Sequence, residues 1–329
     1  MAFTKNFRTP VQLTAAARAA FRATVEGYAT NSILPLATNY TLDYNFTTGA
    51  SALPPAARYR TFNTESDVNV TLGGSQRSGK LPPLSIRMAV DEYQQLKMYG
   101  ADDAIGQKFE EYAELNATSI AQRVVLAQAE ALEYGKVTIA DRGQNFEVDF
   151  GRRPELSATA ATPWSDLDNS DPINDLMALR EAFGRAVSQI IISRQAMTYL
   201  MRNKMLIAAA GVTGSILAET MVRSVLGDFG FGNVVIDESV VNDTRGQERR
   251  LFSQDKVILL GAGTVGRTDI GVPAEATETD NGISQSEAAG LFSGAYGATD
   301  PTGYNVLVSA IALPVVSSAN NTATLDVLA

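Results

Sequence analysis

The sequence predicts a mixed α+β fold in which extended N-terminal segments precede an α/β region. Residues 30–57 follow neither a helical nor a strand period and contain three prolines. Residues 58–90 alternate in polarity like a long hairpin, and residues 104–134 repeat apolar side chains at helical spacing. Helix and strand patterns then alternate as far as residue 290, so an α/β region is expected there.

The composition excludes several classes of function. The chain has 329 residues, of which 45% are hydrophobic, and it contains neither cysteine nor histidine. Disulfides, thiol nucleophiles and Ser–His or Cys–His pairs are therefore excluded, and zinc loses its usual ligands. No apolar stretch approaches the roughly 18 residues that a membrane span needs.

The charge is distributed unevenly along the chain. The net charge is −9, but residues 1–88 hold nine Lys/Arg and four Asp/Glu, whereas residues 89–329 hold 18 Lys/Arg and 32 Asp/Glu. Nucleic-acid backbones are bound by clustered basic charge, so the acidic body argues against a broad phosphate-binding surface. A basic extension and an acidic body complement each other where two copies meet.

The N-terminal region is predicted to be a helix followed by an arm. Thr9 and Pro10 form a helix start, and the helix continues to about Tyr28. Residues 30–57 carry too many apolar and aromatic side chains for a flexible linker, and a segment this long without structure is unusual inside a compact domain. We therefore expect an arm that lies on another surface.

The hairpin predicted at 58–90 also needs a partner. Its alternating segments are 58–63, 68–72 and 84–88, and a loop begins at Gly73-Gly74. Because an isolated two-stranded hairpin is marginal in water, a second surface must cover it.

The remaining elements follow the helical and strand periods. A long helix is predicted at 104–134, where Gly135 ends it. Further helices are predicted at 172–184, 194–210 and 215–226. Strands are predicted at 146–150, 187–193, 234–236, 257–260, 304–316 and 323–328.

Two glycine motifs resemble phosphate-binding sites but lack the helix that such sites need. The run 261–266 matches G-x-G-x-x-G after a strand, but residues 267–273 are a poor helix. The run 74–80 resembles a phosphate loop, but Leu81 stands where a Ser or Thr is required, and the prolines at 82–83 forbid a helix. Glycine-rich turns explain both motifs.

Neighbouring carboxylates also have a structural explanation. Asp102 and Asp103, like Glu110 and Glu111, are adjacent in sequence and diverge around a helix, whereas acid–base catalysis needs coupled or desolvated carboxylates. We expect a solvated or partner-facing acidic surface. The single tryptophan, Trp164, is expected to anchor a domain boundary.

Several short stretches, in this order and spacing, resemble a known family. They are SGKLPPL at 78–84, QAEALEYGKVTI at 128–139, VDFGR at 148–152, ATPWS at 161–165 before Asp171-Pro172, DKVILL at 255–260 and IALPV at 311–315. Together they resemble the tailed-phage major capsid proteins of the lambda type, the capsid protein E family, over nearly the whole chain.

The resemblance implies the shell fold shared by tailed phages and herpesviruses. Its parts map onto residues 1–57 as an N-terminal helix and arm, 58–90 as an extended hairpin loop, 91–164 as a peripheral domain with a long spine helix, 165–300 as an axial α/β domain, and 301–329 as strands that return to the peripheral domain. Neighbouring copies would then supply the partners that the arm and the hairpin need.

The resemblance further implies a structural protein of the virion capsid. Pentamers and hexamers would enclose double-stranded DNA without sequence-specific binding, assembled in the bacterial cytoplasm with scaffolding, portal and decoration proteins. No catalytic residue, cofactor, metal or membrane is expected. An encapsulin-like compartment with an enzyme cargo, or a nucleotide-dependent enzyme using a glycine motif, remains the alternative.

Charged side chains on the hairpin and on the long helix are the candidates for contacts between subunits. They are Arg58, Arg60, Arg77, Lys80, Arg87, Glu110, Glu111 and Glu114. Some relatives join subunits by a Lys–Asn isopeptide bond, for which Lys80 would be the lysine here, whereas lambda-type relatives use a decoration protein. The basic helix 10–28 is expected to face the shell interior.

Overall fold

The computed structural model describes residues 3–48, 57, 59–62, 64–65, 75–141 and 143–328. Arg58 and the predicted strand 68–72 lie outside the described residues. The helices are α1 Pro10–Glu26, α2 Thr30–Ile33, α3 Glu92–Lys97, α4 Asp102–Tyr134, α5 Pro172–Phe183, α6 Arg194–Arg202, α7 Lys204–Ala209 and α8 Glu219–Asp228.

The strands form two five-stranded sheets and three two-stranded ones within this described part. They are β1 Leu36–Thr38, β2 Asp43–Thr48, β3 Ser75–Lys80, β4 Pro83–Val90, β5 Lys136–Asp141, β6 Gln144–Asp149, β7 Ser157–Thr159, β8 Val187–Ser193, β9 Phe231–Asp237, β10 Val240–Asn242, β11 Glu248–Arg250, β12 Lys256–Gly261, β13 Arg267–Ile270, β14 Phe292–Thr299, β15 Thr302–Val315 and β16 Thr322–Asp326.

The first sheet is organised around the long strand β15. Strands β14 and β4 pair with the two opposite sides of β15, β13 pairs with the last four residues of β15, and β1 extends the sheet beyond β13. Helices α1 and α4 pack on each other and on this sheet, with Leu13, Phe21 and Phe109 buried between them. We call this assembly of side chains the first core.

The second sheet has the order β7-β16-β12-β8-β9 and carries the helices α5 to α8. Its strands alternate between two interiors, because successive side chains of a strand point to opposite faces. Val257 and Leu259 join the helices in a second core, whereas Ile258 and Leu260 join the first core. The second sheet therefore separates the two cores, which is why its strands are apolar on both faces.

The long predicted helix is confirmed as α4. It has 33 residues, which corresponds to about 50 Å, and it ends where Gly135 adopts a positive φ of 68°. Helix α1 also begins as predicted, with Thr9 as its cap and Pro10 in its first turn. Capping signals and apolar periodicity were sufficient to find both helices.

The predicted helix 194–210 is wrong as one element, because Asn203 divides it into α6 and α7. The Asn203 backbone is extended, and its side-chain oxygen accepts hydrogen bonds from the amides of Met205 and Leu206. Its amide group donates to the carbonyl of Ser170 at 3.1 Å. This buried asparagine starts a new helix and fastens it to the preceding loop.

The expected hairpin at 58–90 is corrected, because the paired strands of the described residues lie at 43–48 and 75–80. Strand β2 pairs with β3, from Asp43 opposite Lys80 to Thr48 opposite Ser75, and residues 59–62 belong to no strand. The predicted strand 84–88 lies within β4, which pairs with β15 in the first sheet. An alternating strand has the same pattern whether it projects or forms a sheet edge, so polarity could not distinguish the two. We call residues 43–80 the hairpin extension.

The strands of the C-terminal half divide between the two sheets. The last strand, β16, lies in the second sheet between β12 and β7, and its Ala323 and Leu325 fill the second core. Strands β13 and β14, whose residues fall within the predicted axial region 165–300, pair with β15 in the first sheet. The helices of the described residues are all too short or too polar to cross a bilayer.

Candidate inter-subunit surfaces

The acidic start of α4 is largely neutralised within the chain. The Arg8 guanidinium donates to Asp103 at 2.9 Å and to Glu110 at 2.6 Å, and these partners raise its pKa. Gly106 leaves room for this contact, because a Cβ there would displace the end of the Arg8 side chain. Glu110 therefore fastens the N-terminal segment to its own α4.

The other two acidic candidates on α4 differ from each other. Glu111 accepts a hydrogen bond from the Lys108 ammonium at 2.7 Å, one helical turn earlier. Glu114 is exposed, and the described residues offer it no basic partner. Of the three predicted acids, Glu114 alone is thus free within the described part of the chain.

The base of the hairpin extension is held on the chain's own body. The Arg77 guanidinium lies 3.2 Å from the Asp149 carboxylate and donates to the Asp149 carbonyl at 2.5 Å. Phe46 packs on Phe150 with ring centroids 5.3 Å apart, and Tyr44 stacks on Phe46. A salt bridge and an aromatic row thus fix the direction in which the extension leaves.

The remaining basic candidates lie in different environments. Arg87, on β4, donates to the Tyr296 hydroxyl at 2.9 Å within the first sheet. Lys80 is exposed at the base of the extension, opposite Asp43. Arg60 is exposed and donates to the carbonyl of Thr64 at 2.6 Å. Among the described basic candidates, it is the one whose position lies between the two strands of the hairpin extension.

Large apolar side chains without a partner occur in two places. Tyr59 and Phe62 of the extension are fully exposed. Helix α3 buries none of its residues, and Tyr93, Leu96 and the following Tyr99 are 74%, 66% and 88% exposed. Exposed aromatic groups of this kind mark interaction surfaces. The exposure of α3 could not be predicted, because a helix of six residues is too short for its apolar spacing to show whether a neighbour covers it.

The basic N-terminal helix offers less free charge than its sequence suggests. Arg18 donates to the carbonyls of Leu291 at 2.8 Å and Glu287 at 2.7 Å, and burial lowers its pKa. Arg8 is bound to α4, as described above. Lys5 and Arg22 remain exposed. The expected interior-facing basic surface is therefore reduced to two residues.

A buried polar junction that sequence reasoning missed joins α4 to the second sheet. The Arg152 guanidinium donates to the carbonyls of Leu132 at 3.0 Å and Glu133 at 2.6 Å, and to the Thr324 hydroxyl at 3.0 Å. Burial lowers the pKa of Arg152 to about 10. Arg152 thereby satisfies carbonyl groups at the end of α4 that have no partner within the helix.

Glu133 lies at the same junction. It is buried, and burial raises the pKa of its carboxyl group, while the backbone amide and hydroxyl group of Ser253 act against this rise. The stretches VDFGR and QAEALEYG, which carried the family resemblance, contain Arg152 and Glu133. Their contact could not be inferred, because it depends on how β6 returns to α4.

Both glycine motifs have packing explanations. The run 261–266 leads from β12 in the second sheet to β13 in the first, where a Cβ on Gly261 would collide with Asn321, and one on Gly266 with Val315. Gly79 lies on β3 against the Tyr44 ring, which leaves no space for a side chain. Strands follow both motifs, so neither presents a helix N-terminus to a phosphate group.

Trp164 lies buried in the second core. Its indole N–H donates to the Asp175 carboxylate at 3.0 Å, and its backbone amide donates to the carbonyl of Val327. It therefore connects α5 to the end of the chain beyond β16.

The comparisons with known proteins agree with this architecture. The family model of the phage major capsid protein E matches residues 9–327. A protein assigned as a prophage capsid protein of Escherichia coli CFT073 has a TM-score of 0.64 at 16% sequence identity, covering 96% of this chain and 99% of that chain. A phage-related protein of Bordetella bronchiseptica RB50 has a TM-score of 0.51 at 13% identity, covering 93% and 95%. The search of curated proteins finds no match.

The family match runs from the cap of α1 to the end of β16, so it includes both sheets and all eight helices of the described residues. The predicted capsid shell fold is confirmed by the two similar structures. The chain belongs to the phage major capsid protein E family and is a homo-oligomeric subunit of a virion capsid.

Proposed function

We propose that this chain forms pentamers and hexamers that close an icosahedral head around double-stranded phage DNA. Its role is structural, and it catalyses no reaction. The observation that carries the proposal is the hairpin extension, which is fixed at its base by Arg77 and exposes Tyr59 and Phe62 beyond the body. Subunits that reach beyond their own body fit a shell, in which each copy contacts the next.

The two sheets suggest how the subunit is divided within the shell. The first sheet with α1 and α4 corresponds to a peripheral domain, with α4 as its spine. The second sheet with α5 to α8 corresponds to an axial domain around the centres of pentamers and hexamers. The hairpin extension, at 43–80 rather than 58–90, corresponds to the loop that lies over a neighbouring subunit.

The partners follow from the charge of the subunit. The net charge is −9, so the enclosed DNA is held by confinement, without sequence-specific contacts and without a broad basic surface. Scaffolding, portal and decoration proteins would act during assembly in the bacterial cytoplasm. Lys5 and Arg22 are the exposed basic residues of the N-terminal region available to an acidic partner inside the shell.

Electron microscopy of the purified protein tests the proposal. Closed shells built of five-fold and six-fold capsomers are expected, and particles from phage-producing cells should contain nuclease-protected DNA. An encapsulin-like compartment has a protein cargo instead, so shells that contain a co-purified enzyme and no DNA would favour that alternative. A monomer that forms no shell under any condition would contradict both.

The enzymatic alternative has its own test. Strands follow both glycine motifs, so neither NAD nor ATP should bind, and Gly263→Ala and Lys80→Ala should behave like the unchanged protein in calorimetry. Micromolar binding of either nucleotide that is lost in one of these variants would overturn the structural assignment.

A further inference from the structure

Strand β4 forms an open edge of the first sheet. It has eight residues and pairs with β15, from Pro83 opposite Ile311 to Val90 opposite Tyr304. No other strand of the described residues pairs with β4. An edge strand of this length presents a row of unpaired amide and carbonyl groups, which soluble proteins usually shorten, charge or cover.

Apolar side chains lie beside this edge. Ile86 and Met88 pair with Val308 and Val306 of β15, which are buried in the first core, so all four project to the same face. Ile86 and Met88 are nevertheless 39% and 37% exposed. The edge therefore combines unpaired backbone groups with uncovered apolar groups.

Helix α3 borders the same edge, since it begins two residues after β4 ends. Its six residues are all at least partly exposed. Short helices are stable mainly through tertiary packing, and α3 obtains little from its own chain. The exposed Tyr93 and Leu96 indicate that a partner packs on α3 in the assembled protein.

Another segment of the same chain has the sequence character of a strand. Residues 58–63 have the alternation and the Tyr, Thr and Phe content typical of a strand. In the structure, residues 59–62 form no strand, and Tyr59 and Phe62 are fully exposed. The sequence thus encodes a strand for which the described part of the subunit supplies no neighbour.

We propose that the open edge of β4 accepts residues 59–62 of a second copy as an additional strand. Backbone hydrogen bonds would join the segment to β4, while Phe62 or Tyr59 would cover Ile86, Met88 and the apolar side of α3. Neighbouring subunits would then share one continuous sheet. This inference rests on the proposed shell function, and it adds the edge, the segment and the type of bonding.

The incoming segment carries the basic Arg60, and the receiving side exposes the acidic Asp91 and Glu92 beside the basic Arg87 and Lys97. Each exposed pair contributes only about 0–1 kcal/mol, so these charges select the orientation of the strand, while backbone bonds and apolar contacts provide the affinity.

Cysteine cross-linking tests the proposed pairing directly, because the chain contains no cysteine. Thr61→Cys is combined with a single cysteine at each position from 84 to 89 in turn, and the assembled shells are oxidised. Disulfides need Cβ atoms about 4 Å apart, so an added strand should give interchain cross-links that alternate with a period of two along β4. Thr61→Cys with Ser224→Cys, on α8, is the matched control and should give none.

A proline pair provides a second measurement that does not depend on cysteine chemistry. Thr61→Pro removes a backbone donor inside the incoming segment, whereas Glu65→Pro makes the same change outside it. Thr61→Pro should abolish or strongly slow shell formation with an unchanged midpoint of thermal unfolding, and Glu65→Pro should assemble normally. Equal assembly of both variants would overturn the inference.

The other outcomes separate the inference from the function on which it rests. Shells that form normally but give no cross-link to β4, or give links without alternation, would overturn the strand pairing and leave the shell function intact. Cross-links of Thr61→Cys to Tyr93→Cys alone would show side-chain docking on α3 and also overturn it. Failure of the unchanged chain to form shells would contradict the function itself.

Discussion

Helix α4 and the hairpin extension obtain their partners in different ways. Along α4, residues such as Phe109, Ala117 and Leu132 are fully buried by the subunit's own helices and sheets. In the extension, the base is bound to the body by Arg77, whereas Tyr59 and Phe62 contact nothing that buries them. The difference indicates that the stability of the subunit and the assembly of the shell are encoded in separate parts of the chain.

Removing the outer part of the extension should produce the largest effect. We expect that replacing residues 49–74 by a short Gly-Ser turn between Thr48 and Ser75, which pair across the hairpin, abolishes shell formation and leaves a cooperatively unfolding subunit. Size-exclusion chromatography and thermal unfolding measure the two properties.

A deletion that continues to residue 85 is the control for this comparison. It also removes the start of β4, which pairs with β15, and should therefore destabilise the subunit itself. If the shorter deletion unfolds the subunit as well, the extension belongs to the core and the separation fails.

Two phenylalanines provide the matched comparison of stability. Phe109 is fully buried and makes edge contacts with Phe7 and Tyr304 at centroid distances of 5.8 and 5.4 Å. Phe109→Ala should lower the free energy of unfolding by about 3–5 kcal/mol. Phe62→Ala should change it by less than about 0.5 kcal/mol, as for other surface positions, but should slow assembly. Denaturant unfolding of both variants measures these changes. Similar losses of unfolding free energy in the two variants would contradict the separation of subunit stability from assembly.

The pH dependence of stability tests the junction between α4 and the second sheet. Because burial raises the pKa of Glu133, the folded state holds its proton to higher pH than the unfolded state does. The contribution of Glu133 to stability is therefore complete below its unfolded pKa of about 4.3, and it is lost as the pH rises through the raised folded pKa.

The variant Glu133→Gln removes this titration. We expect its stability relative to the unchanged protein to rise as the pH increases above about 4, as measured by denaturant unfolding at each pH. Glu114→Gln, a change at an exposed position on the same helix, is the control and should not produce such a trend. Parallel curves for Glu133→Gln and the unchanged protein would contradict the account.

Surface charges should produce the smallest effects. Reversing Glu110, Glu111 and Glu114 to Lys together should slow assembly. This triple variant also loses the contacts of Glu110 with Arg8 and of Glu111 with Lys108 within the subunit. Glu114→Lys alone isolates the contact between copies and should slow assembly in a salt-dependent manner, since each exposed pair contributes only about 0–1 kcal/mol.

Compensation between the two charged surfaces sharpens this prediction. Making Arg58, Arg60 and Arg77 acidic should recover part of the loss, and among them Arg60→Glu is the informative change, because Arg77 also holds the extension on Asp149. Light scattering across salt concentrations measures the rates. Identical, salt-independent rates for all variants would show that these charges only face solvent.

Much of the fold could be predicted from the sequence because its signals are local. Thr9 marks the start of α1, and Gly135 marks the end of α4. Together with the apolar spacing within each helix, these local signals define both helices without knowledge of any neighbour. The placement of β4 and β16 could not be predicted, since alternation indicates a strand but not the sheet that it joins. Pairing partners distant in sequence, such as Thr322 opposite Leu260, decide that.

For the candidate surfaces, the sequence predicted which types of residue occur, but not which of them remain exposed. The excess of basic residues before position 89 was apparent, but the assignment of Arg8 to Asp103 and Glu110 depends on how the N-terminal segment folds back on α4. Exposure of Tyr93 or Phe62 likewise depends on what the rest of the chain leaves uncovered. A sequence states which groups need partners, whereas the fold decides which of them remain unpartnered.

Hydrogen exchange measured before and after assembly tests most directly whether the extension finds its partner only in the shell. The backbone amides of residues 59–62 and of the open edge of β4 should exchange rapidly in the free subunit and slowly in shells. Amides within α4 should be slow in both, because their hydrogen bonds lie within the subunit. Protection of residues 59–62 in the free subunit, or rapid exchange there in closed shells, would contradict the account.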